Sequence, residues 1–224
     1  MKKSTILKDI FGFSAFISVI AGVYLNFEPA VVGAATTAND SITVTQAVTS
    51  DLTISHPADV NMTGTIYGMT GGTGTGSATW TVKTSDTSGF GLTLSADDDT
   101  DCLNNGANDF NDYINASPLN YAWVDPAISA FGFTVEPETA TDTATAFRDN
   151  GSICGTGDGN TADTCWSGFG GTLTTPKAIV NRTSQTDIGG QDEVVKFKTR
   201  LISGQFLPEG SYVAVITATA VVNS

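Results

Sequence analysis

Acidic side chains that could ligate a metal ion form the sharpest local cluster in this sequence. Asp97, Asp99 and Asp101 stand at alternate positions within the run DDDTD. Ca²⁺ takes about six to eight oxygen ligands, which a loop of carboxylates can supply. The EF-hand pattern is absent, because no glycine occupies the sixth loop position and no glutamate the twelfth. A solvated acidic loop explains the same residues, so calcium is a candidate ligand here, and no other cofactor is predicted.

The three cysteines are Cys102, Cys154 and Cys165. In an exported chain the default state of a cysteine is a disulfide, and Cys154 and Cys165 flank a polar loop that they would close. Cys102 would then be free, bridge to another chain, or displace one member of that pair. Zinc is not predicted, because the chain has one histidine and no Cys-x-x-Cys spacing. The cysteine loop also contains a sparser set of oxygen ligands: Asp158, Asn160 and Asp163.

Aromatic side chains offer a different chemistry, the binding of a sugar ring. Trp123 and Tyr121, together with Trp166 and Tyr113, could form a platform on which a sugar stacks. Aromatic residues also dominate protein cores and pack beside disulfides, and Trp166 directly follows Cys165. Both interpretations stay open, and Trp123 and Tyr121 are the candidate ligand-binding residues.

Groups that make or break covalent bonds do not form a familiar catalytic set. His56 has no Gly-x-Ser-x-Gly motif near it, and nucleophilic catalysis needs a base that a third group orients. Glu136 and Glu138 would project the same way from an extended segment, whereas a glycosidase places its two carboxylates on either side of the scissile bond. The sequence therefore predicts a binding protein and not an enzyme.

The charge balance restricts the partners of this chain. Its formal net charge is −13, with 23 acidic and 10 basic residues. Such a surface repels nucleic acid and anionic lipid headgroups. The one basic row, Lys196, Lys198 and Arg200, is expected to be a solvated strand face that pairs with the acidic excess.

The first 35 residues have the layout of a secretory signal peptide. A basic start is followed by an uncharged apolar run over residues 10–25 and by small residues at 32–35. Cleavage after Ala34 or Ala35 would release a secreted or cell-surface protein. A retained N-terminal membrane anchor and a pilin-type leader are the alternatives. The membrane is expected to be a partner only through this segment, if it stays uncleaved.

The remaining chain, residues 36–224, is predicted to fold as one all-β domain. Short alternating runs with turn signals between them, and few strong helix formers, indicate an antiparallel β-sandwich of the immunoglobulin-like or jelly-roll-like kind. An irregular insertion that carries the disulfide is expected around residues 97–170. The clearest runs are these: 42–54, 78–83, 90–95, 193–202 and 212–222.

Five local features complete this prediction. Residues 78–83 and 90–95, joined by a turn, are expected to form a hairpin. The glycine-rich run 71–76 is expected to be a flexible connection, and residues 142–149 a short helix that Asp142 caps. In 193–202, Val195, Phe197 and Leu201 should face inward. The last run, 212–222, is apolar on both faces, which favours a strand buried on two sides.

Two stretches resemble known secreted proteins in their strand and turn style. They are LPEGSYVAVITATAVV at the C-terminus and GSATWTVKTSDTSGFGLTLSA in the first half of the chain. Both resemble segments of bacterial surface β-sandwich proteins of the WxL-domain, spore-coat-U-like and pilus-subunit groups. The resemblance implies export, a sandwich fold and a place at the cell surface.

The sequence thus supports two hypotheses of function. The first is an exported structural or adhesive surface protein, a filament or surface-layer subunit whose partners are other subunits. Its alternating segment 42–54 would then add to a neighbour's sheet, unless it pairs within its own domain. The second is an extracellular carbohydrate-binding module, with calcium as a candidate cofactor and a glycan as the partner.

Overall fold

The computed structural model describes residues 40–97, 103–114, 116–170 and 176–224. The chain divides into two compact units, Met1–Ala47 and Val48–Ser224. The predicted signal segment 1–35 lies outside the described residues. Within the described ranges, no helix has the length and apolar content needed to cross a membrane.

The second unit is built from antiparallel β-strands, which confirms the predicted all-β class. Its described part has two helical turns, both of the 3₁₀ kind and three residues long, at Ala140–Asp142 and Thr145–Phe147. The strands in chain order are β1 Leu52–Ile54, β2 Ile66–Tyr67, β3 Gly71–Thr84, β4 Phe90–Ala96, β5 Leu103–Asn105, β6 Asn108–Phe110, β7 Ser129–Pro137, β8 Lys177–Arg182, β9 Gln191–Leu201 and β10 Ile216–Val222.

The larger sheet has five strands in the order β1-β3-β9-β7, with β2 also paired to β3. β9 is its central strand and alternates as predicted: Val195, Phe197 and Leu201 are buried, and Lys196 and Lys198 lie on the outer face. The alternation follows from the strand period of two, which places successive side chains on opposite faces.

The smaller sheet has three strands in the order β10-β4-β8, and β5 and β6 form a separate two-stranded ribbon. Inward-facing side chains of the two larger sheets share one hydrophobic cluster. Each fully buried side chain of this size stabilises the fold by roughly 1.5–3 kcal/mol. Its fully buried members include Val82, Leu92, Leu94, Phe133, Val135, Ile179, Val195 and Leu201.

The predicted hairpin is wrong, because β3 and β4 belong to different sheets. The turn between them exists: Gly89 has φ +77°, and its N–H donates to the carbonyl of Asp86 at 3.1 Å. Val82 and Leu92 are both buried in the shared cluster, so the two strands face each other across it and do not lie side by side. Two alternating runs joined by a turn are compatible both with a hairpin in one sheet and with strands in two facing sheets.

The predicted flexible connection at 71–76 is also wrong, since these residues open β3 and pair with both β2 and β9. Glycine permits this packing. A Cβ at Gly72 would lie 2.2 Å from the carbonyl oxygen of Thr65, and one at Gly74 would lie 2.6 Å from the Thr199 hydroxyl. The run therefore marks close contact between neighbouring chain segments and not a loop.

Both terminal runs differ from their predictions. Of residues 42–54, Leu52–Ile54 alone form a strand, β1, which pairs with β3. Of residues 212–222, Ile216–Val222 form β10, an edge strand with half-buried inward residues and an exposed opposite face. A strand that is apolar on both faces is therefore not necessarily buried on both faces.

The predicted helix at 142–149 is replaced by the two 3₁₀ turns. Asp142 does not cap a helix start; it ends the first turn, and its carboxylate forms an ion pair with Arg182 at 2.6 Å. Thr143 and Ala144 instead lie beside β8, where the Ala144 N–H donates to the Ile179 carbonyl at 2.8 Å.

Candidate binding groove

A groove opens on the outer face of the five-stranded sheet, beside the basic row of β9. On the neighbouring strand β7, a Cβ at Gly132 would lie 2.6 Å from the Cβ of Tyr113 and 2.8 Å from the carbonyl oxygen of Ser167. The missing side chain lets the segments that carry Tyr113 and Trp166 pack directly on the sheet. Both residues are buried against Ala130 of the same strand.

Trp123 and Trp166 line one wall of the groove, and the buried ring of Tyr113 packs against Trp123. Trp123 stacks on Tyr113 with 4.2 Å between ring centroids, and its edge meets Trp166 at 5.1 Å. The Tyr113 hydroxyl accepts a hydrogen bond from the Val124 N–H at 2.9 Å, and the Trp166 Nε1–H donates to the Asp163 carbonyl at 2.9 Å. Trp123 Nε1 is buried without a hydrogen-bond partner among the described residues. The Trp123 indole is therefore positioned by contacts with its ring and not by a hydrogen bond from Nε1.

The basic row supplies the charges along this wall. Lys196 forms ion pairs with Glu136 at 2.8 Å and with Asp163 at 3.0 Å. Burial opposes its charge, but the hydrogen bonds to these two carboxylates raise the pKa of the Lys196 ammonium. Arg200 lies 3.5 Å from Asp125. Two of the three cations are thus paired, as the sequence predicted for this row.

Lys198 makes a different contact. Its ammonium lies 4.9 Å from the Trp123 ring centroid and 5.6 Å from that of Trp166. Burial lowers the pKa of Lys198, with Asp125 acting in the opposite direction. Within the described residues no carboxylate lies within ion-pair distance of it. A cation beside indole rings in this way gains about 0.5–2 kcal/mol.

The opposite wall is polar, and the groove encloses about 870 Å³. Hydroxyl and amide groups beside an indole and an ammonium are suited to hydrogen bonding and apolar contact with a ligand, which is binding chemistry. Residues that line it include Asn61, Thr63, Thr75, Ser77, Trp123, Asp163, Trp166, Lys196 and Lys198.

The two residues predicted to bind a ligand lie in different places. Trp123 lines the groove. Tyr121 packs instead against the main hydrophobic cluster, and its carbonyl accepts a hydrogen bond from the Cys165 N–H at 3.1 Å. Of the other two aromatic residues that the sequence grouped with them, Trp166 also lines the groove, and Tyr113 is buried against Trp123. That any of these residues binds a sugar stays a prediction.

The predicted calcium ligands are only partly described. The Asp97 carboxylate accepts a hydrogen bond from the Val215 N–H at 3.3 Å. Asp99 and Asp101 lie outside the described residues, as does Cys102. Among the described residues no three Asp, Glu, His or Cys side chains form a group that could hold a metal ion.

The second predicted oxygen set does not converge on one point. Asp158 is 3.7 Å from Arg148, the Asn160 amide donates to the Phe147 carbonyl at 3.1 Å, and Asp163 pairs with Lys196. Each side chain is therefore engaged in a separate structural contact.

The Cys154–Cys165 disulfide is present, as the sequence predicted. Its loop is organised by Asp149, which sequence reasoning placed at a helix end. The buried Asp149 carboxylate accepts hydrogen bonds from Gly151 and from the Thr161 N–H and hydroxyl at 2.6–2.8 Å. Burial opposes its charge, yet these bonds lower the pKa of Asp149. The Asp-Asn-Gly turn signal was the available indication of its role.

The carboxylates considered for catalysis have structural partners. Glu136 pairs with Lys196, and Glu138 accepts a hydrogen bond from the Asp192 N–H at 3.1 Å. His56 lies elsewhere, beside a second cleft of about 1300 Å³ that Val60, Met62 and Ile216 also line.

Comparisons of the chain with protein-family models, with curated proteins and with solved structures find no match.

Proposed function

We propose that this protein is an exported structural subunit of the cell surface that assembles with further subunits through the segment preceding β1. The observation that carries this proposal is the exposure of Ile42, Val44 and Val48, which are 84%, 84% and 89% accessible. They stand at even positions in a run without charge between Asp40 and Asp51. A strand added to a neighbour's sheet would satisfy its backbone hydrogen bonds and cover these side chains.

The rest of the chain supports the same proposal. Two antiparallel sheets that share one hydrophobic cluster support a β-sandwich of the immunoglobulin-like or jelly-roll-like kind, an architecture suited to repeated contacts. A disulfide and the signal-like start of the chain favour export to the cell surface or medium. The net charge of −13 disfavours nucleic acid as a partner.

Light scattering after size-exclusion chromatography, with electron microscopy, tests assembly of the full chain exported from an expression host. We expect oligomers or filaments from the unaltered protein and monomers from Val44→Asp, because a buried charge opposes strand addition. Thr43→Asp is the matched control, since its side chain would lie on the opposite face. An unaltered protein that stays monomeric, or a Val44→Asp variant that assembles normally, would refute the proposal.

A second candidate function is carbohydrate binding, which the groove containing Trp123 favours. Its hydroxyl, amide and ammonium groups beside an indole are the groups that hold a polyhydroxylated ligand. Glycan-array binding that Trp123→Ala abolishes would support this function. Tyr67→Ala, which removes an exposed aromatic ring elsewhere, should leave binding unchanged. Loss of binding with a chelator would add calcium dependence, and absence of binding to every glycan would remove the candidate.

A further inference from the structure

The outer edges of the two larger sheets are protected to very different degrees. At β7, the Tyr113 N–H donates to the Phe131 carbonyl at 2.8 Å, and the Phe133 N–H donates to the Ser167 carbonyl at 2.8 Å. At β8, Ala144 bonds to Ile179 in the same way. These additional segments occupy backbone groups that would otherwise invite another strand.

On the outer edge of β10, no segment of the described chain forms backbone hydrogen bonds with the strand. Two backbone hydrogen bonds flank β10: the Asp97 N–H donates to the Val215 carbonyl, and the Asn223 N–H donates to the Gly89 carbonyl. In this register the backbone N–H and C=O groups of the odd-numbered residues of β10 point toward β4. The alternation of an antiparallel ladder then directs the N–H and C=O groups of Ile216, Ala218 and Ala220 away from β4. No described residue forms a backbone hydrogen bond with them on that side.

This edge also lacks the usual features that prevent strand addition. From residue 211 to residue 222 the chain has no charge and no proline, and β10 pairs with β4 without a bulge. Natural edge strands normally carry at least one of these features. An edge with none of them is suited to pairing with another chain.

The side chains along this edge are also incompletely covered. Half-buried apolar residues border the hydrophobic cluster on this side, and part of them line the cleft of about 1300 Å³. A further strand with inward-pointing apolar residues would cover them. They include Leu52, Val60, Met62, Tyr212, Ala214, Ile216, Ala218 and Ala220.

We propose that the free edge of β10 accepts residues 42–48 of a second copy of this chain. The inference rests on the proposed function and adds the place where the segment docks. Neither residues 42–48 nor β10 contain a charged side chain, and apolar side chains of both are at least partly exposed. Pairing would satisfy the free backbone groups of β10 and insert Ile42, Val44 and Val48 over its half-buried face.

Cysteine crosslinking between separate copies tests the docking site. Val44→Cys on one copy is mixed with Ala218→Cys or Ala220→Cys on another, both lacking Cys102 through Cys102→Ser. We expect a covalent heterodimer on oxidation, seen on a non-reducing gel and assigned by mass spectrometry. Ile188→Cys, at a fully exposed position in the connection before β9, is the control that should not crosslink.

A charge on the edge provides the second measurement. Ala218→Lys directs a lysine toward the half-buried face and should abolish assembly, whereas Thr219→Lys on the exposed face of the same strand should preserve it. Near-ultraviolet circular dichroism of each monomer checks that the fold is retained. If the Ala218→Lys variant misfolds, the crosslinking experiment alone decides whether β10 is the docking site.

The outcomes separate the docking site from the proposed function. Assembly without the expected crosslink, or a crosslink of Ala218→Cys with itself, would overturn docking at β10 and leave subunit assembly intact. Absence of any assembly by the unaltered protein would overturn both.

Discussion

β9 and β10 are the two most regular alternating runs in the second half of the chain, and they occupy opposite kinds of position. β9 is central, bonded on both sides to β3 and β7, and has Lys196, Lys198 and Arg200 on its outer face. β10 is an edge strand with no charged side chain. The more apolar strand is therefore the less covered one. An apolar strand is stabilised when another segment covers it, and that segment can belong to a second protein chain.

β9 also contains one buried acidic residue, Glu193. Glu193 points into the protein and is 1% exposed, and neither carboxylate oxygen has a hydrogen-bond partner among the described residues. Burial, and then the charge of Asp142, raise the pKa of Glu193 to about 8, although Arg182 acts in the opposite direction. The central strand thus contains a carboxyl group whose neutral form is favoured by burial.

Replacing Glu193 should have the largest effect on stability. Because the pKa in the folded state exceeds that of the unfolded chain, the folded state retains a proton that the unfolded state loses. The contribution of Glu193 to stability should be greatest below about pH 4.5 and should fall as pH rises to about 8, by up to about 5 kcal/mol. Glu193→Gln should remove this contribution and make the protein more stable at pH 8.

Urea unfolding of the two proteins at pH 5 and at pH 8 measures this difference. Asp192→Asn, a change on the exposed side of the same strand, is the control and should leave most of the pH dependence in place. If Glu193→Gln and the unaltered protein lose the same stability between the two pH values, Glu193 is not the group responsible.

Truncation of matched aliphatic residues compares the two strands directly. Leu201→Ala in β9 removes a fully buried side chain and should cost about 2–5 kcal/mol, because it leaves a cavity in the shared cluster. Ile216→Ala in β10 removes a half-buried one and should cost about half as much. Denaturant unfolding of the monomers measures both changes. Equal costs would mean that β10 is as well covered as β9.

The sequence predicted the parts of the fold that depend on period and composition. The all-β class, the inward row Val195, Phe197 and Leu201, and the Cys154–Cys165 bridge follow from alternation and from cysteine spacing. These signals are local, and a single strand or loop contains all of the necessary information.

The features that the sequence missed depend on which segments become neighbours. β3 and β4 read as a hairpin because a turn joins them, yet β3 pairs with β9, more than a hundred positions away. The glycines at 71–76 read as a loop because their packing partners lie in distant segments. The groove was missed for the same reason, since Lys198, Trp123 and Asn61 come from three separate parts of the chain.

Removing the disulfide tests whether the bridge protects the edge of β7 more than it protects the edge of β10. Cys165 stands two residues before Ser167, whose backbone closes the edge of β7 at Phe133. Cys154→Ser combined with Cys165→Ser should reduce the free energy of unfolding by about 2–3 kcal/mol, through the loop of 11 positions that the bridge closes. Hydrogen exchange at Phe133 should quicken more than exchange at Thr219. Unchanged exchange at Phe133 would show that the bridge does not support this edge.

The smallest expected effect concerns the charges that distinguish the outer face of β9. Lys196→Met removes the ion pairs to Glu136 and Asp163 and should cost about 0.5–1 kcal/mol at low salt, because both contacts are partly open to solvent. Salt screens such pairs, so the cost should shrink near 1 M sodium chloride. Thermal unfolding at two salt concentrations measures it. A loss of several kcal/mol that salt does not alter would instead assign the lysine stem a packing role, and the outer face of β9 would then be structural cover in its own right.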